Sequence, residues 1–269
     1  MRTVLAGGDL LPLTCTRAGT CCHGKDIRIT PWELARLARA RGLPATDFRE
    51  RFTVEAGTRL RLGGAGWRGL PACSQYDQAL GCSVHADRPF ACRLYPLGRE
   101  VQDGAVRIIH EGRAFPCLDG CPEVAQLSQL RVAEYLEGQE IGPFAVVRDA
   151  YLEMSQDLAE AAIAFAVEGG SDDRRWVEAW RLAIARGPAV WPEILGPWYD
   201  ALTTPDLEMP GGPPEAWLQA HAVLLQERAE AQAPAAACVR LFCSALLLFQ
   251  AVGGESALAG RRWLARAGV

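Results

Sequence analysis

Apolar positions along this chain change rhythm near residue 122. Before it, short alternating runs are interrupted by Gly and Pro, as in Leu60-Arg-Leu62, in Leu70 to Tyr76, and in Val101 to Ile109 around Asp103-Gly104. Such runs predict short strands joined by tight turns, with a hairpin turning at Asp-Gly. One helix is well marked there: Thr30-Pro31-Trp32-Glu33 is a capping box with proline in the first turn, Leu34, Leu37 and Ala38 keep helical spacing, and Gly42 can stop it. A second short helix is expected at Asp47 to Phe52. After Cys121 the period is helical. Pro122 begins a run to about Gln139, and further helices are expected at about 143–167, 173–186, 190–202, 214–231, 235–252 and 255–266, most of them separated by Pro or Gly.

This pattern predicts a mainly α chain in two parts. Residues 1–140 form an irregular cysteine-rich region with a few short strands, and residues 141–269 form an all-α helical bundle. A hydrophobic content of 49% and a charged content of 22% suit a folded protein. No uncharged apolar run approaches the ~18 residues a membrane span needs. The N-terminus carries no convincing export signal, so a cytoplasmic location is the expectation.

Charge adds an asymmetry. Residues 1–113 hold 17 basic and 11 acidic side chains, a net of +6, and the remainder carries −10. Every basic residue but Lys25 is arginine. The basic half is the half rich in cysteine, where arginine can offset the charge of thiolates. No clear nucleic-acid signal accompanies it.

The candidate chemistry lies in the cysteines. Eight of ten fall within the first 121 residues: Cys15, Cys21, Cys22, Cys73, Cys82, Cys92, Cys117 and Cys121. In a reducing compartment clustered thiols bind metal in preference to forming disulfides. Metal binding would also tie together a region poor in regular structure. On extended backbone, neighbouring side chains point to opposite faces. Cys21 and Cys22 are therefore expected to serve different metal ions or different irons of a cluster. No C-x2-C knuckles are present, and the irregular spacing and Cys121-Pro122 favour an iron–sulfur cluster over zinc, with zinc the alternative. Cys238 and Cys243 lie five residues apart in an Ala/Leu-rich helix and are expected in the core. His23 and His85 sit beside cysteines and are expected as surface or hydrogen-bonding groups more than as ligands. Arg88 is expected to anchor the loop between Cys82 and Cys92.

The order Cys15-x5-Cys21-Cys22, then Cys73, Gly81-Cys82, Arg88-Pro89, Cys92-Arg93-Leu94-Tyr95-Pro96 and Cys117-x3-Cys121 resembles the YkgJ-type zinc- or iron-chelating family, named for a C-x2-C-x2-C-C motif. Ala18 stands where the second cysteine of that motif would be. The resemblance implies metal binding. In a branch described as flagellin lysine N-methylases it implies cluster-dependent protein modification. The functions left open are a redox or cluster-assisted modifying protein acting on a protein substrate or redox partner, a zinc-stabilised scaffold or interaction module without catalysis, and a methylase-like enzyme. No catalytic residue is identified.

Overall fold

The computed structural model describes residues 3–11, 19–102, 105–110, 128–168, 175–208, 213–230 and 234–269. The chain forms two compact units, one of Met1–Ile27 with Arg61–Ala145, the other of Arg28–Leu60 with Val146–Val269. The described chain is mainly α, and its strands all lie before residue 132.

The first unit is built from small antiparallel pieces. Thr3–Leu5, Ala105–His110 and Gly98–Gln102 form a three-stranded sheet with Ala105–His110 in the middle. Ala105 pairs with Gln102, the register an Asp103-Gly104 turn requires; the turn itself lies outside the described residues. Leu62–Ala65 pairs with Pro71–Cys73, and Tyr76–Asp77 with Gly81–Cys82. The run expected to be helical from Pro122 is overturned in part. Residues 111–127 lie outside the described residues, Leu130–Arg131 is a strand paired with Leu10–Leu11, and the helix is Val132–Gly138. Arg131 is extended, at φ −66° and ψ 144°, so the helix cannot begin before Val132.

The second unit opens with the capping box. Thr30 accepts from the Glu33 backbone amide at 3.3 Å, and the Glu33 carboxylate accepts from the Thr30 amide at 2.7 Å. These bonds satisfy two amides of the helix Pro31–Ala40, and Gly42 follows its end at φ 63°. The second helix is Ala45–Phe52. Its Arg49 is buried and donates to Asp200 at 2.7 Å and to the Thr203 hydroxyl at 2.8 Å. The remaining helices are Ile141–Glu168, whose first residues belong to the other unit, then Arg175–Arg186, Trp191–Leu195, Trp198–Thr203, Glu215–Glu230, Pro234–Ala251 and Ser256–Arg266. The expected helix over 190–202 is two, because Gly196 turns the chain at φ 54° just before Pro197.

Helix Pro234–Ala251 is the centre of this unit. Leu241, Phe242, Cys243 and Ala245 to Leu248 are all buried, so the helix is apolar around its circumference. It packs on Arg175–Arg186, Trp191–Leu195 and Ser256–Arg266. Trp180 stacks on Phe242 with ring centroids 4.1 Å apart and planes 8° apart. Trp191 donates its indole N–H to the Ala183 carbonyl at 2.9 Å. His221 Nε2 lies 3.0 Å from the Ala201 carbonyl and Nδ1 lies 2.8 Å from the Tyr151 hydroxyl. The carbonyl can only accept, so Nε2 carries the proton and Nδ1 accepts from Tyr151. Burial lowers His221 to about 4 and keeps the imidazole neutral.

Candidate metal centre

Five of the eight cysteines expected as metal ligands meet in the first unit. Cys21 and Cys22 end a single 3-10 turn, Thr20–Cys22. Cys73 ends one strand, Cys82 ends another, and Cys92 lies on the short helix Phe90–Leu94. Cys15, Cys117 and Cys121 lie outside the described residues.

The 3-10 turn changes the reading of the adjacent cysteines. Two side chains on extended backbone diverge, but consecutive positions on a 3-10 turn are about 120° apart. The turn brings both sulfurs toward a third. Cys21 and Cys82 both act on the Cys22 thiol and favour its protonated form. Gly19 makes the turn possible: it stands at φ 74°, and a Cβ there would meet Tyr76 Cε2 at 2.7 Å. The Gly19 carbonyl then accepts from the Cys22 amide at 2.8 Å. Tyr76 pairs across its hairpin with Cys82, which carries the third sulfur to the same place.

The charges are arranged accordingly. The hydrogen bond from Cys22 lowers Cys21 to about 6 against burial, with help from Lys25 and Arg88. The same donor lowers Cys82 to about 7, again with Arg88 contributing. Cys22 is pushed up, because Cys21 and Cys82 both favour its protonated form. Burial pushes Cys73 up to about 11 and also raises Cys92. Two thiolates with a thiol between them, and two thiols beside them, form a donor set that soft or borderline metal ions prefer. The five sulfurs influence one another electrostatically: Cys92 responds to Cys73, Cys21 and Cys82. Among the described residues, no group of three or more His, Cys, Asp or Glu side chains is placed to hold a metal ion. The sulfur donors fit a thiophilic metal by their chemistry and not by their spacing.

Arginines fix the loop that carries Cys82 and Cys92. Arg88 donates to the His85 carbonyl at 2.6 Å and to the Gln139 side-chain oxygen. Arg93 is buried and donates to the Arg88 carbonyl at 3.0 Å, to the Gln139 carbonyl at 2.9 Å and to the Ala86 carbonyl. Its guanidinium lies over the Phe144 ring at 4.2 Å. Tyr135 returns the contact by donating to the Tyr95 carbonyl at 2.5 Å. Arg88 thus anchors the loop, as its position between cysteines suggested. Arg93, Tyr135 and Gln139 share that task, and the last two are remote in sequence with no motif to mark them. Lys25, the lone lysine, has its ammonium over the Tyr95 ring and acts electrostatically on Cys21 and Cys92.

Other candidates resolve more simply. Cys238 and Cys243 are buried in the second unit on helix Pro234–Ala251, and burial alone raises both. His85 lies 3.3 Å from Arg88 through Nδ1. His23 is not a surface group: it is 3% exposed.

Among the described residues no helix is long and apolar enough to cross a membrane. No curated protein and no solved structure matches this chain. A protein-family model does match, over a segment that takes in all five grouped cysteines, and its description supports metal binding without choosing the metal. Residues 14–109 match the model CxxCxxCC, described as a putative zinc- or iron-chelating domain.

Proposed function

We propose that this protein holds a metal–thiolate centre whose innermost ligands are Cys21, Cys22 and Cys82, and that the metal is zinc stapling the first unit together. What supports this is that Cys21 and Cys82 both act on the Cys22 thiol, which marks the three as one electrostatic group. In a tetrahedral zinc site with Zn–S near 2.3 Å, neighbouring sulfurs lie roughly 3.8 Å apart, so one ion gathers thiols that already act on one another. In an iron–sulfur cluster each cysteine binds its own iron, and the inorganic core holds the thiolates farther apart. Cys73 and Cys92 are the next sulfurs, and Cys15, Cys117 and Cys121 complete the ligand supply. Binding zinc displaces protons from the raised thiols, so affinity rises with pH. Thiols of this kind persist in a reducing compartment, which supports a cytoplasmic location.

An iron–sulfur cluster serving electron transfer or protein modification is the second reading. It is favoured by the five sulfurs that influence one another, more than a single four-coordinate ion takes. Anaerobic purification, followed by a UV–visible spectrum and metal analysis of one sample, separates the two. A colourless protein with stoichiometric zinc is the expected result. A brown protein absorbing near ~400 nm, with iron and acid-labile sulfide, would replace zinc with the cluster.

A further inference from the structure

Two buried arginines of this chain use their guanidinium groups differently. Arg93 engages all three nitrogens: Nε donates to the Arg88 carbonyl at 3.0 Å, Nη1 to the Gln139 carbonyl at 2.9 Å, and Nη2 to the Ala86 carbonyl. Arg49, in the second unit, engages one. Its Nη1 donates to Asp200 Oδ1 at 2.7 Å, to the Thr203 hydroxyl at 2.8 Å and to the Thr204 hydroxyl at 3.3 Å. Nε and Nη2 have no hydrogen-bond partner among the described residues. Arg49 is 8% exposed, and donors left unmet in so buried a side chain call for an explanation. The unmet edge is not sealed: neither nitrogen is among the fully buried polar atoms that lack a partner.

The group is held in place. Its central carbon lies 4.2 Å from the centroid of the Tyr199 ring. Its stem runs against Gly57, where a Cβ would stand 3.2 Å from Cγ and 3.3 Å from Cδ. Gly57 holds φ 85°, and Glu55 and Ala56 before it are left-handed as well, at 53° and 56°, so the turn that presents this glycine is strained. Thr203 donates its hydroxyl proton to the Tyr199 carbonyl at 2.7 Å, and Thr204 donates to the Asp200 carbonyl at 3.4 Å. Both hydroxyls therefore meet Arg49 as acceptors. Asp200 supplies the counter-charge that lets the cation rest there without a ligand. Everything that anchors the side chain acts at Nη1, on the ring or along the stem. The Nε–Nη2 edge is fixed in position and left unused, which is how a preorganised binding group is built.

We infer that the Nε–Nη2 edge of Arg49 is a recognition site for a small oxyanion, a carboxylate or a phosphate. That edge offers two parallel N–H bonds, and the two oxygens of one such group accept them as a bidentate pair. A monatomic anion has no second acceptor to match the fork. Burial of the side chain restricts the ligand to one that enters end on, as a free anion or as the terminal group of a small molecule. Arg49, Tyr199, Asp200, Thr203 and Thr204 all belong to the second unit. The site goes beyond the thiolate reading and does not depend on it, so either can fail alone.

The test is an NMR titration of the isotope-labelled full chain with sodium phosphate and, separately, sodium acetate, each against sodium chloride at matched ionic strength. Proximity to the Tyr199 ring protons identifies the Arg49 Nε–H signal in native protein, and its absence from Arg49→Lys checks the identification. That signal should shift saturably with phosphate or with acetate and hold still in chloride. A response to phosphate alone assigns the site to a phosphate group, and one to acetate alone assigns it to a carboxylate. An Arg49 signal that answers neither anion, or answers chloride equally, overturns the site and leaves Arg49 an anchor with water on its open edge; exchange broadening that no anion relieves counts as no response. Binding read at the Thr203 and Thr204 amides should weaken at least about tenfold in Arg49→Lys, the equivalent of one charge-assisted hydrogen bond. Undiminished binding in the folded variant overturns the site as well. The native titration needs no substitution, so it decides the matter even where the lysine variant does not fold.

Discussion

The two units solve the same problem with different means. The helical unit buries Trp180, Trp191, Trp198, Trp217, Phe242 and a central helix of leucines. Its cohesion is that of an ordinary apolar core, and its cysteines belong to that core. The cysteine unit has short strands, helices of five and seven residues, and 3-10 turns of three. Its interior is made of thiols, arginines bonded to carbonyls and a dry histidine. A region with so little regular structure and so much buried polarity needs a bonded centre more than it needs area. The lesson is that ten cysteines in one chain have two meanings, decided by what surrounds them.

The sharpest way to break that contrast is Cys82→Ser. Metal binding contributes roughly 10–16 kcal/mol to folding in small zinc modules. The variant should therefore lose metal and destabilise the cysteine unit while the helical unit melts much as before. Metal analysis and a thermal scan resolve this; full metal content with an unchanged transition would remove Cys82 from the ligand set. The counterpart in the helical unit is Phe242→Ala. It deletes the face on which Trp180 stacks and should cost about 3–5 kcal/mol. Bound metal should stay the same.

The helical unit was legible in sequence because its signals are local. Thr30 and Glu33 cap a helix within four residues, and the apolar period of 235–252 is that of a buried helix, whereas the break at Gly196-Pro197 divides what the pattern over 190–202 presents as one helix. The cysteine unit was legible in composition but not in geometry. Whether Cys21 and Cys22 diverge or converge depends on a 3-10 turn that only Gly19 hints at. Arg88 and Arg93 acquire their meaning from Gln139, some fifty positions away, and no periodicity links them. The excess of arginine in the basic half is partly accounted for: Arg88 and Arg93 bond carbonyls and side chains of the loop, and Arg88 with Lys25 offsets thiolate charge. His23 was read as a surface or hydrogen-bonding group because burial cannot be seen from a lone histidine in a loop.

Arg93→Met tests whether the arginine clamp belongs to the site or only to its surroundings. Methionine keeps the stem and strands three carbonyls, those of Ala86, Arg88 and Gln139. Each unmet buried acceptor costs about 1–3 kcal/mol. The cysteine unit should lose several kcal/mol of that order, and zinc affinity should fall as the Cys92 helix loosens. Unchanged affinity with reduced stability would make the clamp purely architectural.

Alkylation of the metal-free chain sharpens the contrast without any substitution. Cys21 lies at about 6 and is largely thiolate at pH 7, and Cys82 at about 7 is about half ionised there, as long as the metal-free unit keeps its fold. Their reaction with iodoacetamide should rise through those values and level off above them. An ordinary thiol, rising only toward about 8.5, is mostly protonated at pH 7 and should lag roughly 10–100-fold in thiolate fraction. Cys238 and Cys243, raised by burial, should stay unlabelled while the fold holds. Mass spectrometry of peptides after brief labelling reads the order, and Cys243 labelled ahead of Cys82 would reverse the assignment of the two classes.

The smallest expected effect is that of Cys243→Ala. Cys243 is fully buried in helix Pro234–Ala251, and burial alone raises its thiol. It behaves as a small apolar side chain, and alanine removes only the sulfur while favouring the helix. The loss should be about 1 kcal/mol, below that of Phe242→Ala because the cavity left is smaller. Metal stoichiometry should not move at all, which makes the measurement informative despite its size. A fall in bound metal would mean that the helical unit shares in the centre, and the division between a core held by area and a core held by thiolates would no longer stand.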